Sequence, residues 1–155
     1  MPFFLLILLV AALDQATKLL IVREFALYQS REIIPGLFSL TYLTNTGAAF
    51  GMLAGHPTWW RQVFFITVGV VALGVICYLQ RRLAGRSRWY TVSLALIGGG
   101  ALGNLIDRVR LGSVVDFLDF YIGSHHWPAF NLADSAICVG VFLFLLTQFL
   151  GDRQA

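Results

Sequence analysis

Four long apolar segments constrain the fold of this chain more than any other feature of its sequence. They cover about residues 3–22, 62–80, 89–106 and 132–150, and the second and third contain no charged residue. A helix of about 20 mostly apolar residues is long enough to cross the hydrocarbon core of a bilayer. Only 12% of the 155 residues are charged, which is about half the share found in a typical soluble domain. The segments therefore predict four transmembrane helices and exclude a soluble nucleic-acid-binding protein.

The linker between the second and third segments indicates how the helices cross the membrane. Its sequence, RRLAGRSR, contains four arginines and no acidic residue, and Lys and Arg accumulate in cytoplasmic loops. With four spans, a cytoplasmic linker puts both termini in the cytoplasm and the two longer connections, residues 23–61 and 107–131, outside. No Lys or Arg precedes the first apolar segment, so we expect a retained helix there rather than a cleaved signal peptide.

The first outer connection contains the pattern of a short β element. Its segment EIIPGLFSLTYLT, residues 32–44, has a Pro-Gly turn followed by alternating side chains and several strand-forming residues. An irregular loop at the membrane surface is the alternative for this segment. The predicted fold class is an all-α integral membrane protein of one domain, residues 1–155, with four transmembrane helices, a small extracytoplasmic β element and a loop cap.

Most of the acidic residues lie within or beside the apolar segments, which makes them the second informative feature. Five of the eight do so: Asp14, Asp107, Asp116, Asp119 and Asp134. A charged side chain at membrane depth costs several kcal/mol, so such residues are functional hypotheses by default. Together with Lys18, Asn104 and Asn131, we expect them to collect near the outer ends of three helices, beneath the outer connections.

Local spacing suggests partners for some of these charges. Asp14 and Lys18 are four residues apart on one helix face, where they form either a structural ion pair or a contact to substrate. We expect Arg108 to neutralise the adjacent Asp107 at the end of the third helix. The sequence GGGALG, residues 98–103, contains a GxxxG pattern that we interpret as a close helix contact.

Asp116 and Asp134 come from different elements and are candidates for a catalytic pair. Two carboxylates about 3 Å apart share one proton. One then serves as general base towards a water, while the other protonates the carbonyl oxygen of a scissile amide. Spacing alone leaves Asp107 and Asp119 open as members of such a pair. Separate salt bridges between the two acids and the nearby arginines of the third helix are the structural alternative.

Two nucleophilic arrangements are weaker candidates. Ser135 and Lys18 would make a Ser-Lys pair, but no nucleophile turn surrounds Ser135. Cys138 would pair with His125 or His126, although its position in an apolar segment favours a core residue. The histidines have no spacing typical of a zinc site.

Five motifs, in order along the chain, resemble those of the lipoprotein signal peptidases, the bacterial membrane aspartyl proteases of signal peptidase type II. The motifs are DQATK at residues 14–18, TNTGAAFG at 44–51, GNLIDR at 103–108, VVDF at 114–117 and FNLAD at 130–134. Each motif is a weak signal by itself, whereas five in this order on four spans are specific.

The resemblance implies a catalytic pair formed by Asp116 and Asp134. It also implies a substrate or inhibitor site and a set of supporting residues. The implied site residues are Asn45, Asn104, Arg108 and Asn131, and the supporting residues are Asp14, Lys18, Gly47 and Asp107. The implied substrate is a prolipoprotein that carries diacylglyceryl on the cysteine of its lipobox and is cut just before that cysteine.

The expected partners follow from this resemblance. They are diacylglyceryl-prolipoproteins and membrane lipids, with no nucleic acid, and we expect the chain to act as a monomer. Two carboxylates and a water require no metal or organic cofactor. The expected location is the bacterial cytoplasmic (inner) membrane, with the active site at the extracytoplasmic face.

A small four-span proton-coupled transporter is the main alternative from another functional class. Transport requires polar groups that are reachable from both sides and often lie near the midplane of the membrane. The cytoplasmic halves of the predicted spans contain almost none, so the sequence favours the peptidase.

Overall fold

The computed structural model describes residues 3–47, 55 and 58–151. Its elements, in chain order, are α1 (Phe3–Glu24), β1 (Ser30–Ile34), β2 (Phe38–Asn45), α2 (Trp59–Leu83), α3 (Arg88–Leu111), β3 (Val114–Ile122), β4 (His125–His126) and α4 (Leu132–Gly151). Each of the four helices is long and apolar enough to span a membrane, which confirms the four predicted spans. The helices extend beyond the predicted segments, most clearly α3, which continues to Leu111.

Helix α3 packs against α1, α2 and α4 and is the central helix of the bundle. Its glycines permit this close packing. A Cβ added at Gly99 would lie 2.5 Å from a side-chain carbon of α1, and one at Gly103 would lie 2.5 Å from the Asp14 carboxylate. Towards α4, a Cβ at Gly100 would overlap the backbone of Ala133. The interpretation of the GxxxG pattern as a helix contact is therefore confirmed.

The helices expose large apolar side chains on the surfaces that face away from the bundle. Leu8, Val71 and Phe142 are each more than half exposed. The small buried core between the helices contains Phe3, Ile7, Ile76, Leu94 and Ala95. Exposed apolar surface of this extent is unusual for a soluble monomer, whereas lipid chains cover such surface in a bilayer. The burial pattern is therefore that of a membrane-spanning bundle.

An antiparallel sheet with the strand order β1-β2-β3-β4 joins the C-terminal ends of α1 and α3 to the start of α4. Strands β1 and β2 form a hairpin around Gly36, whose φ of 74° lies in the left-handed region that glycine adopts without strain. This hairpin confirms the β element predicted for residues 32–44.

The connection between α3 and α4 contains two strands, β3 and β4, that were not predicted from the sequence. The sequence of β3, VVDFLDFYI, shows no simple alternation of apolar and polar residues. Alternation marks a strand with one face in water, whereas a strand covered on both faces is apolar throughout. The first four residues of β3 are all buried, so the pattern that identifies a strand is missing from its sequence.

Over the first four residues of β3, successive side chains point to opposite sides of the sheet. On one side, Val115 and Phe117 pack with Ile21 and Phe25 at the end of α1. This contact holds the sheet on the bundle. The intervening Asp116 points to the other side, towards the start of α4.

Candidate active site

The first turn of α4 fixes the position of Asp134. Asn131 immediately precedes the helix, and its Oδ1 accepts a hydrogen bond from the backbone N–H of Asp134 at 2.9 Å. In return, the backbone N–H of Asn131 donates to Oδ2 of Asp134 at 3.3 Å. This reciprocal arrangement is a capping box, which satisfies two backbone donors at the start of a helix. The motif FNLAD is therefore a local structure that sets the Asp134 carboxylate beside Asn131.

The side chain of Asn131 also bonds to Asp116. Its Nδ2 donates to Oδ1 of Asp116 at 2.7 Å and to the carbonyl of Val115 at 3.2 Å. Asn131 is fully buried, and its Oδ1 is already engaged by the N–H of Asp134, so its amide NH2 faces β3. A single asparagine thus bonds to the two acids that the sequence analysis proposed as a pair.

Asp116 lies in a position that disfavours its charged form. It is 4% exposed. Burial, and after it the negative charge of Asp134, raise the pKa of Asp116 to about 7. Hydrogen bonds from Asn45 and Asn131 lower the pKa by a smaller amount. Near neutral pH, a proton is therefore available at this pair of carboxyl groups.

Lys18 lies at the centre of a buried ionic network beside the pair. Its Nζ lies 2.9 Å from Oδ2 of Asp14 and 2.8 Å from Oδ2 of Asp107. Each of the three charged residues in this network is at most 3% exposed. The expectation that Arg108 neutralises Asp107 was wrong, because the packing of α1 on α3 brings Lys18 to that carboxylate.

The ionic network reaches Asp134 through Asn104. Lys18 Nζ donates to Oδ1 of Asn104 at 2.9 Å, so the NH2 group of this amide points the other way. There its Nδ2 donates to Oδ1 of Asp134 at 2.8 Å. Two hydrogen bonds thus connect a buried cation, Lys18, through Asn104 to a candidate catalytic acid, Asp134.

The two acids of the network also hold the neighbouring elements in place. Asp14 accepts a hydrogen bond from the backbone N–H of Ala133 in the first turn of α4, at 2.9 Å. Asp107 accepts one from the backbone N–H of Val115 in β3, at 3.2 Å. These bonds connect α1 and α3 to the two elements that carry the candidate pair.

Gln15 is a site residue that the sequence analysis missed. Its Nε2 donates to Oδ1 of Asp107 at 2.8 Å and to the carbonyl of Gly103 at 3.1 Å. The residue lies inside the motif DQATK, between Asp14 and Lys18, and this position is the sequence feature that could have identified it as a site residue. Its amide completes the hydrogen bonding of a buried carboxylate.

Arg108 holds the loop that follows β2. Its Nη2 donates to the carbonyl of Gly47 at 2.7 Å, and its guanidinium carbon lies 4.1 Å from the centre of the Phe65 ring. The side chain of Asn45 accepts a hydrogen bond from the backbone N–H of Gly47 at 2.9 Å. Arg108 also lines a cavity of about 210 Å³ together with Thr46, Thr58, Trp59, Arg61, Gln62 and Gly112. Residues 48–51 of the motif TNTGAAFG lie outside the described residues.

The other candidate arrangements do not form. Asp119 bonds to Nδ1 of His126 at 2.9 Å. The hydroxyl of Ser135 donates to the backbone carbonyl of Asn131 at 3.0 Å, as in an ordinary helix turn. Lys18 is engaged by the ionic network, and Cys138 is exposed. The structure therefore assigns neither Asp119 nor Asp107 to the pair with Asp134.

Known proteins match this chain along most of its length. The family model described as signal peptidase (SPase) II matches residues 6–150. The lipoprotein signal peptidase of Geobacter sulfurreducens is 58% identical over 142 residues, covering 92% of this chain and 88% of that protein. The lipoprotein signal peptidase of Geobacter metallireducens is 54% identical over 142 residues, covering 92% of this chain and 86% of that protein.

The fold agrees with solved structures of membrane enzymes. One structure described as a bacterial membrane enzyme aligns with a TM-score of 0.87 and 34% identity, over 98% of this chain and 90% of that chain. A second structure described in the same way aligns with a TM-score of 0.81 and 35% identity. The family model matches residues 6–150, and the two relatives are each more than 50% identical in sequence. This multi-pass bacterial membrane protein therefore belongs to the signal peptidase II family.

Proposed function

We propose that this chain is an aspartic endopeptidase that removes the signal peptide from diacylglyceryl-modified prolipoproteins and cuts just before the lipidated cysteine. One observation carries the proposal. Asp116 and Asp134 both accept hydrogen bonds from Asn131, and the buried Asp116 has a pKa of about 7. Membership of the signal peptidase II family supports the substrate class. It does not favour the four-span transporter.

The surroundings of the two acids suggest different roles. Asp134 accepts hydrogen bonds from Nδ2 of Asn104 and from the backbone of Asn131 at the N-terminus of a helix, and both donors stabilise a carboxylate. Asp116 is more buried and retains its proton. We therefore assign Asp134 as the general base and Asp116 as the general acid for the first step.

The cleavage follows from these two protonation states. Asp134 accepts a proton from a water whose oxygen adds to the carbonyl carbon, while Asp116 gives its proton to the carbonyl oxygen. The carbon–nitrogen bond of the resulting gem-diol then breaks as Asp134 passes its proton to the leaving nitrogen of the cysteine. One gem-diol hydroxyl returns a proton to Asp116, so both acids regain their starting states. This chemistry uses two carboxylates and a water.

The remaining site residues are proposed to bind substrate or to support the pair. The substrate would contact Asn45, Asn104, Arg108 and Asn131, since these lie around the acids. The supporting set would be Asp14, Lys18, Gly47 and Asp107, which bond to the residues of the first set or to the elements carrying the acids. We propose that the enzyme acts as a monomer surrounded by membrane lipids.

The orientation of the enzyme is part of the proposal. The arginines at residues 81–88 lie at the ends of α2 and α3 that are opposite to the sheet. By the charge rule for membrane proteins, that end faces the cytoplasm. The acid pair and the sheet then lie at the extracytoplasmic face of the bacterial inner membrane, with both termini in the cytoplasm.

The decisive experiment is cleavage of a lipid-modified prolipoprotein by purified protein in detergent. We expect Asp116→Asn and Asp134→Asn each to lower kcat/KM by about a thousandfold or more, because each removes a proton-transfer group. Asp119→Asn is the matched control, since it removes a third acid from the same strand, one that bonds to His126 rather than to Asn131, and its rate should stay near that of the wild type.

Two results would contradict the proposal. Full activity in either variant of the pair would show that the acid pair does not perform the cleavage. Absence of signal-peptide release by the wild-type protein, together with ion-coupled uptake in vesicles, would favour the transporter. Folding of each variant is checked by its thermal transition in detergent.

A further inference from the structure

A cavity lies where α2 begins and α3 ends, separate from the acid pair. It has a volume of about 210 Å³, and neither Asp116 nor Asp134 is among the described residues that line it. Nε2 of Gln62 donates a hydrogen bond to the carbonyl of Arg108 at 3.3 Å. This bond joins the first turn of α2 to the last turn of α3 beside the cavity. The cavity therefore lies at the same end of the bundle as the sheet.

Arginines from both helices line this cavity. Arg61 belongs to the first turn of α2, and Arg108 belongs to the last turn of α3. The carbonyl of Gly47 engages only one of the guanidinium N–H donors of Arg108. No acidic side chain is among the described residues that line the cavity. Two guanidinium groups at one small cavity favour a ligand that has negative charge and several acceptor oxygens, such as a phosphate.

Thr58 supplies a further polar group to the cavity. This residue immediately precedes α2 and lines the cavity. A threonine at this position usually accepts a hydrogen bond from the helix backbone, but the side chain of Thr58 makes no such bond. Its Oγ1 is buried and has no hydrogen-bond partner among the described residues. The helix therefore does not engage this hydroxyl, which can donate to a phosphate oxygen.

The tryptophans at the start of α2 indicate the depth of the cavity in the membrane. Trp59 lines the cavity and is 79% exposed, and the adjacent Trp60 is 49% exposed. Tryptophan rings concentrate at the level of the lipid headgroups, because one end of the ring is apolar and the other carries an N–H donor. The cavity therefore lies at the depth of the phospholipid phosphates.

We propose that this cavity binds the phosphate group of a phospholipid from the leaflet on the sheet side of the membrane. Pockets for drug-sized ligands measure about 300–1,000 Å³, so a cavity of about 210 Å³ suits one small polar group rather than a peptide segment. Arg61, Arg108 and Thr58 donate to the phosphate oxygens. The acyl chains lie along α2, where Val63 and Phe64 are exposed. The bound phospholipid is not a substrate, so this site goes beyond the proposed function.

The test follows the thermal transition of the purified protein in detergent as phosphatidylglycerol is added, because a ligand that binds the folded state raises this temperature. We expect the lipid to stabilise the wild type. Arg61→Gln should need about tenfold more lipid for the same rise over its own lipid-free value, since a charge-assisted hydrogen bond is lost. Arg61→Lys keeps the charge and should lie between the two.

Arg82→Gln is the matched control for Arg61→Gln. It removes an arginine from the other end of α2 and changes the net charge by the same amount. Both arginines also lie over an aromatic ring of their own helix, Arg61 over Trp60 and Arg82 over Tyr78. Arg82→Gln should respond to the lipid as the wild type does.

Four results would overturn the proposal. No rise in the wild type would show that the cavity does not bind this lipid. An equal rise with diacylglycerol of the same acyl chains, which has no phosphate, would assign the effect to the chains. An equal rise with inorganic phosphate alone would assign the site to a free anion. An equal loss in Arg61→Gln and Arg82→Gln would show a general attraction between the lipid and the positive protein. Because the readout is stability rather than cleavage, each of these results leaves the proposed peptidase activity untouched.

Discussion

The amide groups of Asn104 and Asn131 determine the hydrogen bonding of the acid pair. In each amide, the oxygen accepts a hydrogen bond from a fixed donor, which is Lys18 in one case and the backbone of Asp134 in the other. The NH2 groups therefore donate to carboxyl groups. A neutral amide stabilises a carboxylate less strongly than a cation does. The surroundings thus hold the acids in place while leaving them able to exchange a proton.

The raised pKa of Asp116 predicts the pH dependence of cleavage. The ordinary pKa is 3.8 and the folded protein raises it to about 7, so Asp116 keeps its proton below this pH and loses it above. Since the proposed first step needs that proton, kcat/KM should fall about tenfold per pH unit above pH 7. The measurement is cleavage from about pH 6 to about pH 9, with a substrate that has no titrating group beside the cysteine. A rate that stays constant to pH 9 would refute the assignment of Asp116 as the acid.

The sequence allowed part of this site to be predicted. The position of the acids within or beside the spans made Asp116 and Asp134 candidates together with Asp107 and Asp119, and only the resemblance to the lipoprotein signal peptidases selected these two as the pair. The partner of Asp107 was predicted incorrectly, since Arg108 is adjacent in sequence while Lys18 approaches only through the packing of α1 on α3. The orientation of the Asn104 amide depends on its hydrogen bonds to Lys18, Asn131 and Asp134 together. These residues come from separate segments, so no sequence pattern predicts the orientation.

Helix α3 is the element on which the site depends most, because it contacts each of the other helices. Its glycines allow α1 to approach until the Asp14 carboxylate touches the α3 backbone at Gly103. The apolar pattern predicted this helix and its close contact. Strand β3 was not predicted, because its sides are covered by α1 and by the start of α4, and the alternation that marks a strand in water is absent.

Gly103→Ala tests the close contact of α1 and α3. The added Cβ would lie 2.5 Å from Oδ2 of Asp14, so either the carboxylate or the helix must move. We expect a loss of about 1 to 3 kcal/mol in stability, typical of overpacking, and a lower rate of cleavage. Thermal denaturation in detergent and the cleavage assay measure these two effects.

Gly74→Ala is the matched control for this substitution. It makes the same change in a membrane-spanning helix, α2, but a Cβ there has no neighbour within 4 Å among the described residues. Its stability should be unchanged or slightly higher, because alanine favours a helix by up to about 1 kcal/mol over glycine. Equal stability and equal cleavage rates in Gly103→Ala and Gly74→Ala would contradict the role assigned to the close contact of α1 and α3.

The whole molecule is organised by the distribution of its few charges. The arginines of the α2–α3 linker lie at one end, while the buried ionic network and the acid pair lie at the other. This arrangement follows from the energy of placing charge in lipid, and the sequence alone was sufficient to predict it. The shape of the sheet, by contrast, depends on pairing between distant segments.

Thiol labelling tests the proposed orientation. In a background with Cys77 and Cys138 replaced by alanine, Ser124→Cys marks the turn between β3 and β4, and Ala84→Cys marks the α2–α3 linker. Both positions are exposed. A membrane-impermeant reagent should label Ser124→Cys in cells whose inner membrane is intact, and Ala84→Cys only after that membrane is opened. The reverse pattern would invert the topology.

The bond between Asp14 and the backbone of Ala133 joins positions 119 residues apart. During synthesis, the first helix enters the membrane long before the last helix leaves the ribosome. Until then, Asp14 has no α4 to bind, Asn131 and Asp134 are missing, and Asp116 lacks its partner. The site is thus assembled only by the final span, so a partly made chain in the membrane has no proteolytic activity towards its neighbours.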